Sequence, residues 1–197
     1  MSPAQPNIPL STSEKHPIHV DFVPAEALNL PGRLGLTIAP GKQNVGMQFL
    51  WQRNLALDLD RLRHHYHVDT LVSLIEEAEL SQLKIPHLFS EVQQAGMRSL
   101  WFPIPDFSAP RSMPATVSLV REILGAVRQG KTVVTHCKGG LGRSGLIVAA
   151  CLTTLGYSAA EAFIIIRKAR PGSVETQVQE EFVKQFAQGW EISDRAS

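Results

Sequence analysis

Cysteine is scarce in this chain: 2 among 197 residues, Cys137 and Cys151. Two thiols cannot form a disulfide framework, which excludes the small secreted scaffolds that depend on one. An excess of one charge is missing too, with 19 Lys and Arg against 18 Asp and Glu and a formal net charge of +1. Such a balance gives no whole-surface attraction for nucleic acid or an anionic membrane, so affinity for anions has to be local. Long apolar runs are absent. The longest, Gly145 to Gly156, is interrupted by two threonines and is well short of the roughly 20 residues of a spanning helix. Met1 to Leu10 has neither a basic n-region nor an apolar h-region, so no signal peptide is expected. These gaps leave a cytoplasmic protein of a reducing compartment as the expectation.

What is present reads as one α/β domain. Hydrophobic residues make up 44%, enough at this length for a sizeable core. Residues 1–16, with three prolines, are expected to be a flexible tail, residues 17–190 the domain, and 191–197 a second tail. His19 to Val23 suits an edge strand. The prolines and glycines between Leu30 and Lys42 predict loops. Met47, Leu50, Trp51, Leu55, Leu59 and Leu62 recur at helical spacing and predict one long helix ending near Tyr66. Further strands are expected over 70–75, 99–104 and 131–135, with helices over 86–95, 115–128, 144–155, 158–168 and 175–188. Alternating strands and helices imply a mostly parallel central sheet flanked by helices.

The chemistry is concentrated in residues 131–147, Lys-Thr-Val-Val-Thr-His-Cys-Lys-Gly-Gly-Leu-Gly-Arg-Ser-Gly-Leu-Ile. A buried strand delivers His136 and Cys137 to the carboxyl edge of a sheet, where open α/β folds bind ligands. The loop Lys138, Gly139, Gly140, Leu141, Gly142 and Arg143 follows, and then a helix start. Successive N–H groups of such a loop converge on an anion, and the helix N-terminus adds its own. A thiolate is itself an anion and is stabilised there as a nucleophile. Arg143 can hold two phosphate oxygens at once, which Lys does less well. Ser144 can donate to the sulfur when it departs.

An ester leaving group also needs a proton, and Asp106, on the loop after Phe102-Pro103-Ile104-Pro105, is the candidate acid. Asp58 and Asp69 suit it less: one lies mid-helix, the other ahead of a strand. His64, His65 and His67 have no Cys or carboxylate in ligand spacing, so they are read as a helix terminus, and no metal is expected. Cys151, among Leu146, Ile147, Val148 and Leu152, is read as core. Arg167, Lys168 and Arg170 are read as a helix-end cluster in preference to a steering patch.

The spacing His-Cys-x5-Arg-Ser resembles the signature of the protein tyrosine phosphatase superfamily. With GRLGLTIAPGK (32–42), ELSQLKIPHLFSEVQQAGM (79–97), FPIPDFSAP (102–110), HCKGGLGRSGLIVAACL (136–152) and GSVETQVQEEF (172–182), the chain is similar to the kinase-associated phosphatases, a dual-specificity branch directed at cyclin-dependent kinases. The resemblance implies Cys137 as nucleophile, Arg143 as phosphate clamp, Ser144 as thiolate stabiliser, Asp106 as general acid and His136 as the residue that orients the loop and supports the thiolate. It implies a site role, such as positioning water, for Gln179, and it departs from the family at Glu175, where a glutamine is expected. The expected reaction passes through a phosphocysteine without a cofactor, on a phosphorylated protein, with a protein kinase as a candidate partner. The alternatives are an idle phospho-binding module, although every chemical residue is present, and a phosphoinositide phosphatase. Against the lipid, the loop offers Lys138 alone, with Leu141 where a second cation would be most useful.

Overall fold

A computed structural model describes residues 8–46 and 48–194. Strands β1 (Leu10–Ser11) and β2 (Asp21–Phe22) lead through the single-turn helix α1 (Ala25–Leu28) to β3 (Arg33–Thr37), β4 (Gln43–Val45) and β5 (Leu50–Gln52). Helix α2 (Leu55–Asp60) continues as a π turn, Arg61–His65, into β6 (Thr70–Ser73). Then come α3 (Glu77–Gln82), α4 (Leu88–Gln94), β7 (Arg98–Trp101), α5 (Met113–Arg128), β8 (Thr132–His136), α6 (Gly142–Thr154), α7 (Ala159–Ala169) and α8 (Gln177–Asp194).

The main sheet has the order β2-β3-β8-β6-β7 and is parallel except for the edge pair β2–β3. This is the α/β architecture expected from the alternation. β8 is central, and all five of its residues are buried. The helix after it, α6, is buried from Gly142 to Thr153 and packs on β3, β8, α5, α7 and α8. Small residues (Gly145, Ala149, Ala150, Cys151) let those neighbours close around it, so loop 137–142 hangs between two rigid, buried elements.

Four expectations need correction. Leu30 to Lys42 is not mainly loop: Arg33–Thr37 is an interior strand with Leu34 and Leu36 fully buried. Gly35 is there for close approach, since a Cβ would stand 2.7 Å from Val20 Cγ1 on the neighbouring edge. The long helix of 47–66 breaks in two. Leu50–Gln52 pairs with Gln43–Val45 as a hairpin, and Asn54 caps the helix that follows, accepting from the Leu57 N–H at 3.1 Å. Met47 lies outside the described residues. The supposed tail is docked at Leu10–Ser11, which pairs with Leu50–Trp51, and at Ser13, whose hydroxyl accepts from the Asn54 N–H at 2.9 Å. Residues 1–7 and 195–197 lie outside the described residues. α8 runs on to Asp194, past the boundary expected at residue 190.

Candidate active site

Residue by residue, loop 137–142 is tied from outside. The Lys138 carbonyl accepts from Lys42 Nζ at 3.1 Å and from the Ala39 N–H at 3.4 Å. The Gly139 carbonyl accepts from Arg170 Nη2 at 3.0 Å. These two carbonyls are held by donors outside the loop, so they do not compete for its own N–H groups. Gly140 already donates to Cys137 Sγ at 3.2 Å. Its φ is +68°, and a Cβ there would lie 2.2 Å from the Thr37 carbonyl oxygen, so only glycine fits. Among the described residues, the N–H groups of Arg143 and Ser144 in the first turn of α6 meet no protein acceptor.

Cys137 is 3% exposed at the end of β8. His136 beside it is fully buried, with Nε2 2.7 Å from Ser73 Oγ and Nδ1 3.3 Å from the Cys137 carbonyl oxygen. Burial lowers its pKa to about 4, so it is a neutral spacer at neutral pH and lends Cys137 no charge. Ser144 Oγ is buried without a hydrogen-bond partner, and no bond joins it to Cys137 in this state.

Arg143 is 2% exposed and clamped by Glu79 in a bidentate pair, Nη1 to Oε2 at 2.6 Å and Nη2 to Oε1 at 2.9 Å. Nη1 also donates to the Ile104 carbonyl at 3.0 Å, and Nη2 lies 2.9 Å from Asp106 Oδ1. Burial alone would lower its pKa, but Glu79, Cys137 and Asp106 together raise it, so the guanidinium stays charged. Burial likewise pushes the Glu79 carboxyl up, and the bonds from Arg143 and the Glu76 N–H outweigh that and hold it below the ordinary value. Arg143 therefore brings the Asp106 loop to the cysteine loop. Asp106 is the more open of the two, with 41% of its side chain exposed.

Gln179 is fully buried and braces the far wall. Its Oε1 accepts from the Glu175 and Thr176 N–H groups at 2.9 and 3.3 Å, and its Nε2 donates to the Ser108 carbonyl at 3.2 Å. It thereby links the acid loop to the start of α8. Asp58 and Asp69 are elsewhere. Asp58 is buried against Arg53 and accepts from the Gly41 N–H, while Asp69 accepts from the Thr132 N–H at 2.9 Å. Cys151 is fully buried, and burial drives its thiol pKa upward. Among the described residues, no three His, Cys, Asp or Glu converge as a metal site, and no helix is long and apolar enough to cross a membrane.

Sequence reasoning missed Glu79, Lys42 and Arg170. Glu79 opens one segment of the resemblance and Lys42 closes another, but neither has a motif of its own. Lys42 is 4% exposed and sits 3.8 Å over the Trp51 ring. Desolvation lowers its pKa to about 7 despite the opposing pull of Cys137. Arg170 belongs to the loop as well as to a helix end, since it bonds both Gly139 and Asp21.

The family model described as cyclin-dependent kinase inhibitor 3 matches residues 6–162. The chain is 28% identical over 176 residues to the cyclin-dependent kinase inhibitor 3 of Rattus norvegicus, covering 88% of this chain and 80% of the relative. Among solved structures, a kinase-associated phosphatase whose catalytic-site cysteine is replaced by serine superposes with a TM-score of 0.79 at 25% identity, covering 88% of this chain and 96% of that one. Tk-PTP in its active form superposes with a TM-score of 0.68 at 34% identity, covering 86% and 96%.

Proposed function

The chain belongs to the cyclin-dependent kinase inhibitor 3 family and has the fold of the tyrosine and dual-specificity phosphatases, and from that premise we propose that it hydrolyses phosphorylated protein side chains through a phosphocysteine. The observation that carries this reading is the shared guanidinium: Arg143, held by Glu79, stands 2.9 Å from Asp106 and lies in the first turn of the helix behind Cys137. Cys137 Sγ attacks phosphorus as the bond to the leaving oxygen breaks. Asp106 passes its proton to that oxygen. Loop N–H groups and Arg143 stabilise the equatorial oxygens, which is positioning and preorganised electrostatics in place of new covalent chemistry. Asp106, now a carboxylate, takes a proton from water, whose oxygen attacks phosphorus and releases the Cys137 thiolate. Ser144, with its unsatisfied hydroxyl, is the donor for the departing sulfur, and Gln179 positions the wall from which water approaches.

A phosphoprotein is favoured over an inositol lipid because the loop segment 138–142 contains one cationic residue of its own, Lys138, and net charge is +1. Phosphotyrosine and phosphothreonine are both substrates, and a protein kinase is the partner that the family name suggests. The test compares kcat/KM on phosphotyrosine and phosphothreonine peptides with short-chain phosphoinositides, with Cys137→Ser as the control. Peptide turnover that vanishes in Cys137→Ser supports the reading. A tenfold preference for the lipid overturns the substrate class, and residual turnover near wild type in Cys137→Ser overturns the mechanism.

A further inference from the structure

Glu175 places a carboxylate inside an anion-binding loop. Its Oε2 accepts from the Gly142 N–H at 2.8 Å, and that N–H is the first of α6 and belongs to loop 137–143. The contact is built by several neighbours. Gly142 lacks the Cβ that would come within 2.5 Å of the same oxygen. Gln179 accepts from the Glu175 N–H at 2.9 Å, and Arg167 Nη2 holds the Val174 carbonyl at 3.0 Å. Val174 between them takes a φ of +59°, a costly conformation for a β-branched residue. Among the described residues Glu175 forms no ion pair, since Arg143 is engaged by Glu79 and Asp106. Of the first three N–H groups of α6, the one at Gly142 is therefore already satisfied by a negative charge, whereas those of Arg143 and Ser144 stand open.

We propose that Glu175 tunes phosphate affinity: its carboxylate acts as an internal ligand of the loop, which the phosphate group of a monoester or free phosphate has to displace from the Gly142 N–H. The proposal rests on the reading of Cys137 to Arg143 as a phosphate loop. An incoming dianion breaks a charge-assisted hydrogen bond and meets a like charge with no cation assigned to it. Binding is weakened, and so is retention of the product, inorganic phosphate. A glutamine of the same shape keeps the contact without the charge.

Tungstate, a tetrahedral dianion, is the probe. Its affinity for the full chain is measured by calorimetry in wild type, Glu175→Gln, Glu175→Ala and Arg143→Ala, beside inhibition by inorganic phosphate. Both Glu175 variants are expected to bind tungstate about tenfold more tightly, the scale of a charge-assisted bond that no longer opposes binding, with the phosphate inhibition constant falling in parallel. Either Glu175 variant suffices if the other misfolds. Unchanged or weaker tungstate binding, in a protein whose wild type binds it through Arg143, overturns the proposal and makes Glu175 a structural cap. Tungstate bound by neither the wild type nor the Glu175 variants, or bound equally without Arg143, sinks the phosphate-loop reading and this inference with it.

Discussion

At the scale of single residues, two carboxylates meet one guanidinium and are separated by exposure. Glu79 is buried at both oxygens on Arg143, whereas Asp106 touches it from a half-open loop. The buried one is suited to hold and the open one to exchange protons. Replacing Asp106 by Asn is expected to lower kcat by roughly 10²–10⁴, the usual worth of a positioned acid. The loss should shrink on p-nitrophenyl phosphate, whose leaving group needs no proton. Equal losses on good and poor leaving groups would assign the acid elsewhere. Glu79→Gln leaves Arg143 buried without its bidentate partner, and it should destabilise the fold by roughly 3 kcal/mol while lowering kcat/KM. Urea denaturation beside steady-state kinetics checks both effects.

At the scale of elements, β3 and the turn after it form the back wall of the site. The Thr37 carbonyl, the Ala39 N–H and Lys42 Nζ all press on residues 138–140. Gly140→Ala puts a Cβ against the Thr37 carbonyl at a φ of +68°. The loop has to move, and a displacement near 1 Å costs on the order of a hundredfold in rate, so activity should fall by at least that factor. Near-normal turnover in this variant would contradict the tight packing described. The capping residue Asn54 separates the β4–β5 hairpin from α2, and Asn54→Ala is expected to lower stability by about 1 kcal/mol. Its effect should appear in the thermal midpoint, with kcat unchanged, because Asn54 touches none of the loop.

At the scale of the whole molecule, the core beneath the site carries titratable groups that set an acid limit. His136 is neutral in the fold with a pKa of about 4, against an ordinary 6.5. The unfolded chain therefore takes up the proton first, and stability falls as pH drops from about 6.5 toward 4, by roughly 3 kcal/mol over that window. Glu79 acts in the same direction: its depressed carboxyl stabilises the fold above its unfolded pKa, and that contribution is lost as pH falls through the folded value. The urea midpoint should be clearly lower at pH 4.5 than at pH 7.5. Equal midpoints would show that His136 is not coupled to folding as its burial implies.

The sequence by itself determined the strand–loop–helix around Cys137, because glycine spacing, a buried strand and a paired Cys and Arg are local features that one stretch of chain carries whole. It also made the parallel sheet and most helices legible, since apolar period and caps such as Ser158 with Glu161 are read within a few residues. Only the tertiary structure decided what surrounds that loop. Glu79 lies 64 positions from Arg143, and Lys42 lies 96 from Lys138. Nothing in their neighbours marks them as site residues. Gly35 resembles a loop residue until the adjacent edge strand is seen against it. Trp51 fits a helical period as well as a hairpin, and pairing with β4 settled which. Glu175 reads as a departure from the family's glutamine, and only the fold sets it against the Gly142 N–H. Local chemistry is written in the order of residues, whereas charge partners and close approaches depend on which elements come to lie side by side.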